Sequence, residues 1–385
     1  MSGFLAFLKK EMMLTVSVIA AGVALIITPP SADLLTRIDW RTLGTLFMML
    51  TVLEGFKKEN VFEPLIRFST HFCSLRSLVL FLVFGVFFTS MFVTNDVSLI
   101  IFVPLTITLL RQAGKEHFIL PVISLENIAA VRGSMLMPFG SPQNLFLYGR
   151  FGVSAPVFIL HMLPLSAFSG ILLIIFICVL LRHEKETLSF EVADCEVSDT
   201  GSADAEKTSL RRKVYPLLFL LVLAVIVSRT GLWPYAVLVI ALSMLVLDRS
   251  ILVRTDYVLL ATFLCFFVFS SSITSNERIS ALLRGLVANN EYWWAIGISQ
   301  IISNVPASIV LWPFTVNNAG LIYGLDTAGL CSLIGSLASV INYRIYVREY
   351  PGRGRAFIRT FTLTSWAFLA IVIVPGYLLS FWPFG

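Results

Sequence analysis

Charge is scarce in this chain. Asp, Glu, Lys and Arg make up 13% of 385 residues while apolar residues make up 57%, against roughly a quarter charged in a soluble domain. Mean hydropathy is +0.87. A soluble globular enzyme is excluded on those grounds. Histidine is scarce too: His71, His117, His161 and His183 stand alone with no HExxH among them, which argues against a zinc-dependent intramembrane protease. The five cysteines, Cys73, Cys178, Cys195, Cys265 and Cys331, form no CxxC and no paired spacing, so neither a zinc site nor a disulfide framework is expected. There is no P-loop, and no basic patch with interleaved aromatics, so no nucleic-acid partner is expected. Long apolar runs are what remains. They are about 17 to 29 residues long, a length for bilayer-spanning helices rather than barrel strands.

Nine full spans are expected, at about 12–29, 40–56, 118–138, 153–181, 214–228, 231–247, 256–275, 320–340 and 358–381. Met12 to Thr28 is longer than the apolar core of a signal peptide, so it is read as the first span. Two further apolar stretches, 77–111 and 290–318, are interrupted by Thr94-Asn95-Asp96 and by Ser303-Asn304-Val305-Pro306. Residues 182–213 are polar, acidic in the middle and basic at both ends, as a solvated linker would be. With the interrupted stretches taken as hairpins that enter and leave on one face, 21 of the 28 Lys and Arg fall on one side of the membrane. Six fall on the other, Arg37, Arg41, Arg150, Arg229, Arg278 and Arg284, and Arg132 lies inside a span. The positive-inside rule then puts the N-terminus and the linker in the cytoplasm and the C-terminus outside. A plasma-membrane, multi-pass protein, of the bacterial inner-membrane type, is the expectation.

The halves resemble each other. IDWRTLGTLFMMLTVLEG (38–55) parallels TDYVLLATFLCFFVFSSS (255–272), with Asp39 on Asp256. Thr94-Asn95 falls on Ser303-Asn304, and Gly140-Ser141 on Gly335-Ser336, at offsets of 217, 209 and 195. By the topology above, matched elements run in opposite senses, an inverted repeat of the kind found in secondary transporters. The units expected are a first repeat at 12–181 lacking its opening helix, a cytoplasmic linker at 182–213, and a second repeat at 214–381. The fold class is therefore an all-α polytopic membrane protein with inverted repeats, two re-entrant hairpins and two broken helices.

Polar backbone at membrane depth has to line protein or water. A polar tip between two half-length helices meets that need. The half-helix that starts there points its positive end at an anion, while tip oxygens suit a hard cation such as sodium. Thr94, Asn95 and Asp96 at one tip, and Ser303, Asn304 and Pro306 at the other, are therefore candidate binding residues; ordinary helix capping is the alternative. The breaks at Gly133–Leu145 and 328–339 add Ser134, Gly140, Ser141, Pro142, Gln143, Asn144, Gly335 and Ser336, with close helix packing as the alternative. Asn95, Asp96, Ser141, Asn144, Ser303 and Asn304 are the candidate sodium ligands. Asp96 is a functional candidate by its position in a span, or a cap for the helix after it. Arg132, just before the first break, is placed to hold a substrate carboxylate or to neutralise Asp96. Glu126 reads as a snorkelling carboxylate and Asp326 as a cap.

TNDVSLIIFVPL, ENIAAVRGSMLMPFGSPQNLFLY, SNVPA and LIGSLAS resemble the ion transporter superfamily. That group includes citrate and dicarboxylate transporters, arsenite permeases and NhaD-type sodium–proton antiporters. The resemblance spans roughly 12–381. It implies a homodimer in which a transport domain moves past a scaffold, elevator fashion, and no cofactor beyond a coupling sodium ion or proton. In the carboxylate branch Ser-Asn-Thr at each tip binds sodium and substrate. Here the tips read Thr94-Asn95-Asp96 and Ser303-Asn304-Val305, and the first is nearer the Asn-Asp of arsenite permease-like proteins. The expected function is cation-coupled transport of a small citrate- or dicarboxylate-like anion and not an enzymatic reaction; a sodium–proton antiporter or arsenite-type permease is the alternative.

Overall fold

Apolar segments this long satisfy their backbone internally, and helix is the economical way to do so in lipid. The computed structural model describes residues 12–28, 34–59, 72, 74–184 and 202–384, and its regular structure is helical. The chain opens with α1 (Met12–Ile27), a short α2 (Leu34–Arg37) and α3 (Trp40–Lys58). A hairpin follows, α4 (Leu75–Val93) and α5 (Asn95–Gln112), then α6 (Ile119–Ser134), α7 (Pro142–Phe151) and α8 (Ala155–Leu180). The second half begins with α9 (Ser202–Ser228), α10 (Trp233–Leu247), α11 (Arg249–Arg254), α12 (Tyr257–Ser275) and α13 (Glu277–Val287). A second hairpin is built from α14 (Glu291–Ile302) and α15 (Asn304–Leu311), and α16 (Asn318–Ala328), α17 (Leu337–Glu349) and α18 (Gly354–Leu379) complete the chain. The basic flank Lys9-Lys10 and residues 185–201 of the polar stretch lie outside the described residues.

Among the described residues, α4, α8, α12 and α18 are long and apolar enough to cross a membrane, and α1 and α10 are apolar but shorter. Their outward faces carry large apolar side chains, including Leu160, Ile171, Val179, Leu238, Val246, Leu363 and Val374, all exposed. A soluble protein rarely shows so much contiguous apolar surface; lipid covers such a face in a multi-pass membrane protein.

Packing divides the helices into two groups that draw on both halves of the sequence. α4, α5, α6 and α8 pack together with α14, α16, α17 and α18. α3 packs on α9, α10 and α11, and α12 packs on α1, α3 and α13. α15 and α7 bridge the groups, α15 by touching α12 and α7 by touching α3.

Both expected breaks are present: 320–340 divides into α16 and α17, separated at residues 329–336, and 118–138 stops at Ser134, with α7 restarting at Pro142. Two elements differ from the sequence expectation. The arms of the first hairpin are 19 and 18 residues, about 28 and 27 Å. They match the hydrocarbon thickness instead of half of it. Only the second hairpin has short arms, of 12 and 8 residues. Finally, α9 reaches back to Ser202, so part of the polar stretch is helix. Anchors at this end account for the extension: Arg211 donates to Leu247 O at 2.8 Å and pairs with Glu59 at 3.5 Å.

Asp248 ties the same end together. It caps α11, accepting from Ser250 N at 3.0 Å, bonds Lys58, and lies 3.6 Å from Arg211. Burial alone would raise its pKa, but Lys58 and the two Ser250 donors outweigh that and hold it below the usual carboxylate value.

Candidate functional site

Each hairpin turns on a single residue in an uncommon conformation. Thr94 has φ 73° and ψ 154°; Ser303 has φ 68° and ψ 158°. This region is essentially reserved for glycine and costs about 1–3 kcal/mol for a residue with a side chain. A β-branched threonine there is a marked outlier. Neither side chain caps the following helix, so ordinary N-capping does not account for the two hydroxyls. The turn carbonyls are held instead: Thr94 O accepts from Ser98 N at 3.2 Å and Ser98 Oγ at 2.9 Å, and Ser303 O from Ala307 N at 3.1 Å. Asn95 and Asn304 then open α5 and α15, and both are buried. Asn95 Oδ1 accepts from Asp96 N at 2.9 Å. Asn304 N donates to Gly335 O at 3.2 Å, joining the second tip to the second break.

The breaks also match. Ser141 (φ −147°, ψ 153°) and Ser336 (φ −146°, ψ 138°) are extended residues at the starts of α7 and α17. The glycines before them are required by crowding. A Cβ on Gly140 would lie 2.1 Å from Ser134 O, and one on Gly335 would lie 2.3 Å from Ala328 O. Ser141 Oγ accepts from Asn144 N at 3.4 Å, and Asn144 Nδ2 donates to Met135 O at 3.3 Å, closing the first break on itself. Ser134 Oγ donates to Val131 O at 3.2 Å. Pro306 sits buried in the first turn of α15, where its missing N–H costs nothing.

Tips and breaks surround one small cavity. Asn95 and Asp96 line it from the first tip, Asn304 and Val305 from the second. Pro142, Gln143, Ser336 and Leu337 line it from the restarts of the broken helices, and Leu259 from the first turn of α12. Its volume is about 10 Å³, room for one water or bare cation. A citrate does not fit in this conformation. Of the expected residues, Thr94, Ser134, Gly140, Ser141, Asn144, Ser303, Pro306 and Gly335 shape the surrounding backbone, and Arg132 stands apart.

The charges are paired differently from the expectation. Asp96 is half-buried, with Oδ1 inaccessible and unpartnered. It forms no ion pair with Arg132. Arg132 is 0% exposed, its Nη1 is 3.8 Å from Met135 Sδ, and its Nε and Nη2 find no acceptor. Asp326 is not a cap. It lies in the last turn of α16, 1% exposed, accepting from Gln143 Nε2 at 3.3 Å. Gln143 therefore lines the cavity and also reaches the buried carboxylate of the other half. Glu126 does not snorkel: it is 0% exposed and accepts a bond from Thr106 of α5. Sequence reasoning gave Asp326 the role of a cap, because its partner Gln143 lies 183 residues away.

Two strained tips facing two helix breaks, inside a bundle with an apolar exterior, define a polytopic membrane protein built as a transporter rather than as an enzyme. The sequence profile of the citrate transporter family matches residues 4–335, and the chain belongs to that family. It is 30% identical over 320 residues to the inner membrane protein YbiR of Escherichia coli, covering 80% of each chain. It is also 30% identical over 312 residues to an uncharacterized transporter of Methanocaldococcus jannaschii, MJ0456, covering 80% of this chain and 81% of that one.

Proposed function

We propose that the protein is a secondary active transporter of a small citrate- or dicarboxylate-like anion, coupled to sodium or protons. The observation that carries the reading is that both strained tips and both breaks frame a single cation-sized cavity. Asn95, Asp96 and Asn304, which line it, and Ser141, Asn144 and Ser303 in the backbone beside it are the candidate ligands of a sodium ion. Cation binding neutralises Asp96 and lets the anion approach, which couples the two. The matched φ and ψ at tips and breaks support an inverted repeat, with the Lys57 and Asp256 end cytoplasmic by the positive-inside rule. The α4–α6, α8 and α14–α18 group supports a moving body, carried elevator fashion past α1, α3 and α9–α13 in a homodimer in the plasma membrane.

One observation favours a second reading. No Lys or Arg lines the tip cavity, and Asp96 does, as a sodium–proton antiporter would require. Proteoliposomes decide between the two. Saturable uptake of labelled citrate or succinate that follows an inward sodium or proton gradient supports symport. Sodium-driven quenching of an internal pH dye without anion uptake moves the protein to exchange.

A further inference from the structure

On the topology expected from the sequence, the side poor in Lys and Arg holds six arginines. Sequence alone scatters them from Arg37 to Arg284. The structure gathers five of the six around two adjoining cavities. Arg37, Arg150 and Arg284 line one of about 490 Å³, and Arg41, Arg150 and Arg229 line one of about 220 Å³. Arg278 is the exception. Topology selects against basic residues on this side, so basic residues concentrated in cavities there call for another cause.

The larger cavity is within the size range of small-molecule sites. No carboxylate lines it among the described residues; Asp39, which lines the adjoining cavity, pairs with Arg150 at 3.0 Å. Hydroxyls line it as well, and one of them, Ser271 Oγ, is buried with no hydrogen-bond partner. Arg37 donates to Ser275 Oγ at 2.7 Å and Arg150 is paired with Asp39, but Arg284 and the unpaired Ser271 hydroxyl beside them are groups that suit an anion.

Its floor lies close to the tip cavity. Phe146 and Phe267, with ring centroids 5.7 Å apart, and Ile309 form it. Phe146 is three residues beyond Gln143 on α7, and Ile309 five beyond Asn304 on α15. At 1.5 Å per residue those are about 4.5 and 7.5 Å. Along α12 the tip cavity is at Leu259 and the basic cavity at Phe267–Thr274, so the two are stacked along the bundle with this floor between them.

We propose that this basic cavity is a vestibule that binds a multivalent carboxylate before it reaches the tips, with Arg37, Arg284 and Ser271 as its ligands. The inference rests on the anion reading above. It supplies what the tip cavity lacks, a positive wall that concentrates a di- or tricarboxylate beside the site. An anionic lipid headgroup shares this chemistry, so the test has to separate the two.

The test is calorimetric titration of citrate into purified full-length protein in phosphatidylcholine nanodiscs, at low and high ionic strength. Citrate binds wild-type protein at low salt, and affinity falls about tenfold in Arg37→Gln/Arg284→Gln. It stays unchanged in Arg278→Gln, an arginine of the same side outside both cavities. Arg284→Gln alone, an exposed change on α13, and Ser271→Ala each show a smaller loss and cover the case in which the double variant does not fold. Equal binding by wild-type and double variant, absent binding included, overturns the proposal, as does an equal loss in Arg278→Gln. Loss of citrate binding when phosphatidylglycerol is added makes the occupant a lipid and also overturns it. The same variants in uptake assays raise the KM for external citrate and leave kcat alone. Binding that follows the arginines with no wild-type uptake of citrate or succinate keeps the vestibule and removes the transport reading; uptake with an unchanged KM does the reverse.

Discussion

The two hairpins differ in almost everything except the turn. The first has arms of 19 and 18 residues, the second of 12 and 8. The first tip ends in Asp96, the second in Val305. The second is bonded to its break through Asn304 N and Gly335 O, whereas Asn95 Oδ1 accepts from Asp96 N within its own helix. Yet Thr94 and Ser303 differ by only 5° in φ and 4° in ψ. What is held constant is the backbone around the cavity, and what varies is arm length and one side chain. The comparison teaches that the turn geometry carries the shared task, and that Asp96 carries whatever only one half does.

Making the tips alike is the strongest test of that division. Asp96→Val, which copies the second tip into the first, is expected to lower cation-driven transport about a hundredfold, the scale of losing a charged ligand. The converse variant Val305→Asp does not restore it, and the ratio of the two uptake rates is the measurement. A smaller effect follows from the breaks. Gly140→Ala and Gly335→Ala each push a methyl into a backbone carbonyl and destabilise by about 3 kcal/mol. Their thermal midpoints in detergent should fall together, and a large difference would break the equivalence of the halves.

Smaller again is the strain itself. Thr94→Gly and Ser303→Gly relieve about 1 kcal/mol each, so melting midpoints rise slightly in both while transport falls as the tip loosens. The smallest effect is at neither tip. Asp248 is held below its ordinary value of 3.8, so its stabilising share is present above that pH and is lost as pH falls through the lower folded value. Acid unfolding of Asp248→Asn is expected to be shallower than wild type in that range, and identical at neutral pH apart from a constant offset.

The tips and breaks were legible in the sequence because they interrupt apolar runs. Thr94-Asn95-Asp96 has no other reason to sit inside one, and Gly140-Ser141-Pro142 cannot continue a helix. The cavity was not legible, since Leu259, Val305 and Leu337 look like any other span residue and their place depends on which helices meet. Arg132 was found as an intramembrane charge but set against Asp96, whereas its Nη1 lies against Met135 Sδ and its Nε and Nη2 find no acceptor; side-chain direction inside a span leaves no periodicity to read. The long arms of the first hairpin were missed for a related reason. Hydropathy reports where a chain is apolar and not how far it tilts. The start of α9 at Ser202 was hidden because its early turns are polar, and its first anchors, from Arg211 to Leu247 O and Glu59, come from distant segments.

One close contact bears on how such a protein can move. A Cβ on Gly133 would lie 2.0 Å from Phe87 O, and one on Gly324 would lie 2.5 Å from Tyr292 O. In each half a glycine thus lets the helix before the break touch the backbone of a hairpin arm. Surfaces meshed at that distance neither slide nor roll over each other without separating. Each hairpin and its broken helix are in mechanical terms one part, and the connections that lead out of the two parts are short ones, residues 152–154, 288–290 and 350–353.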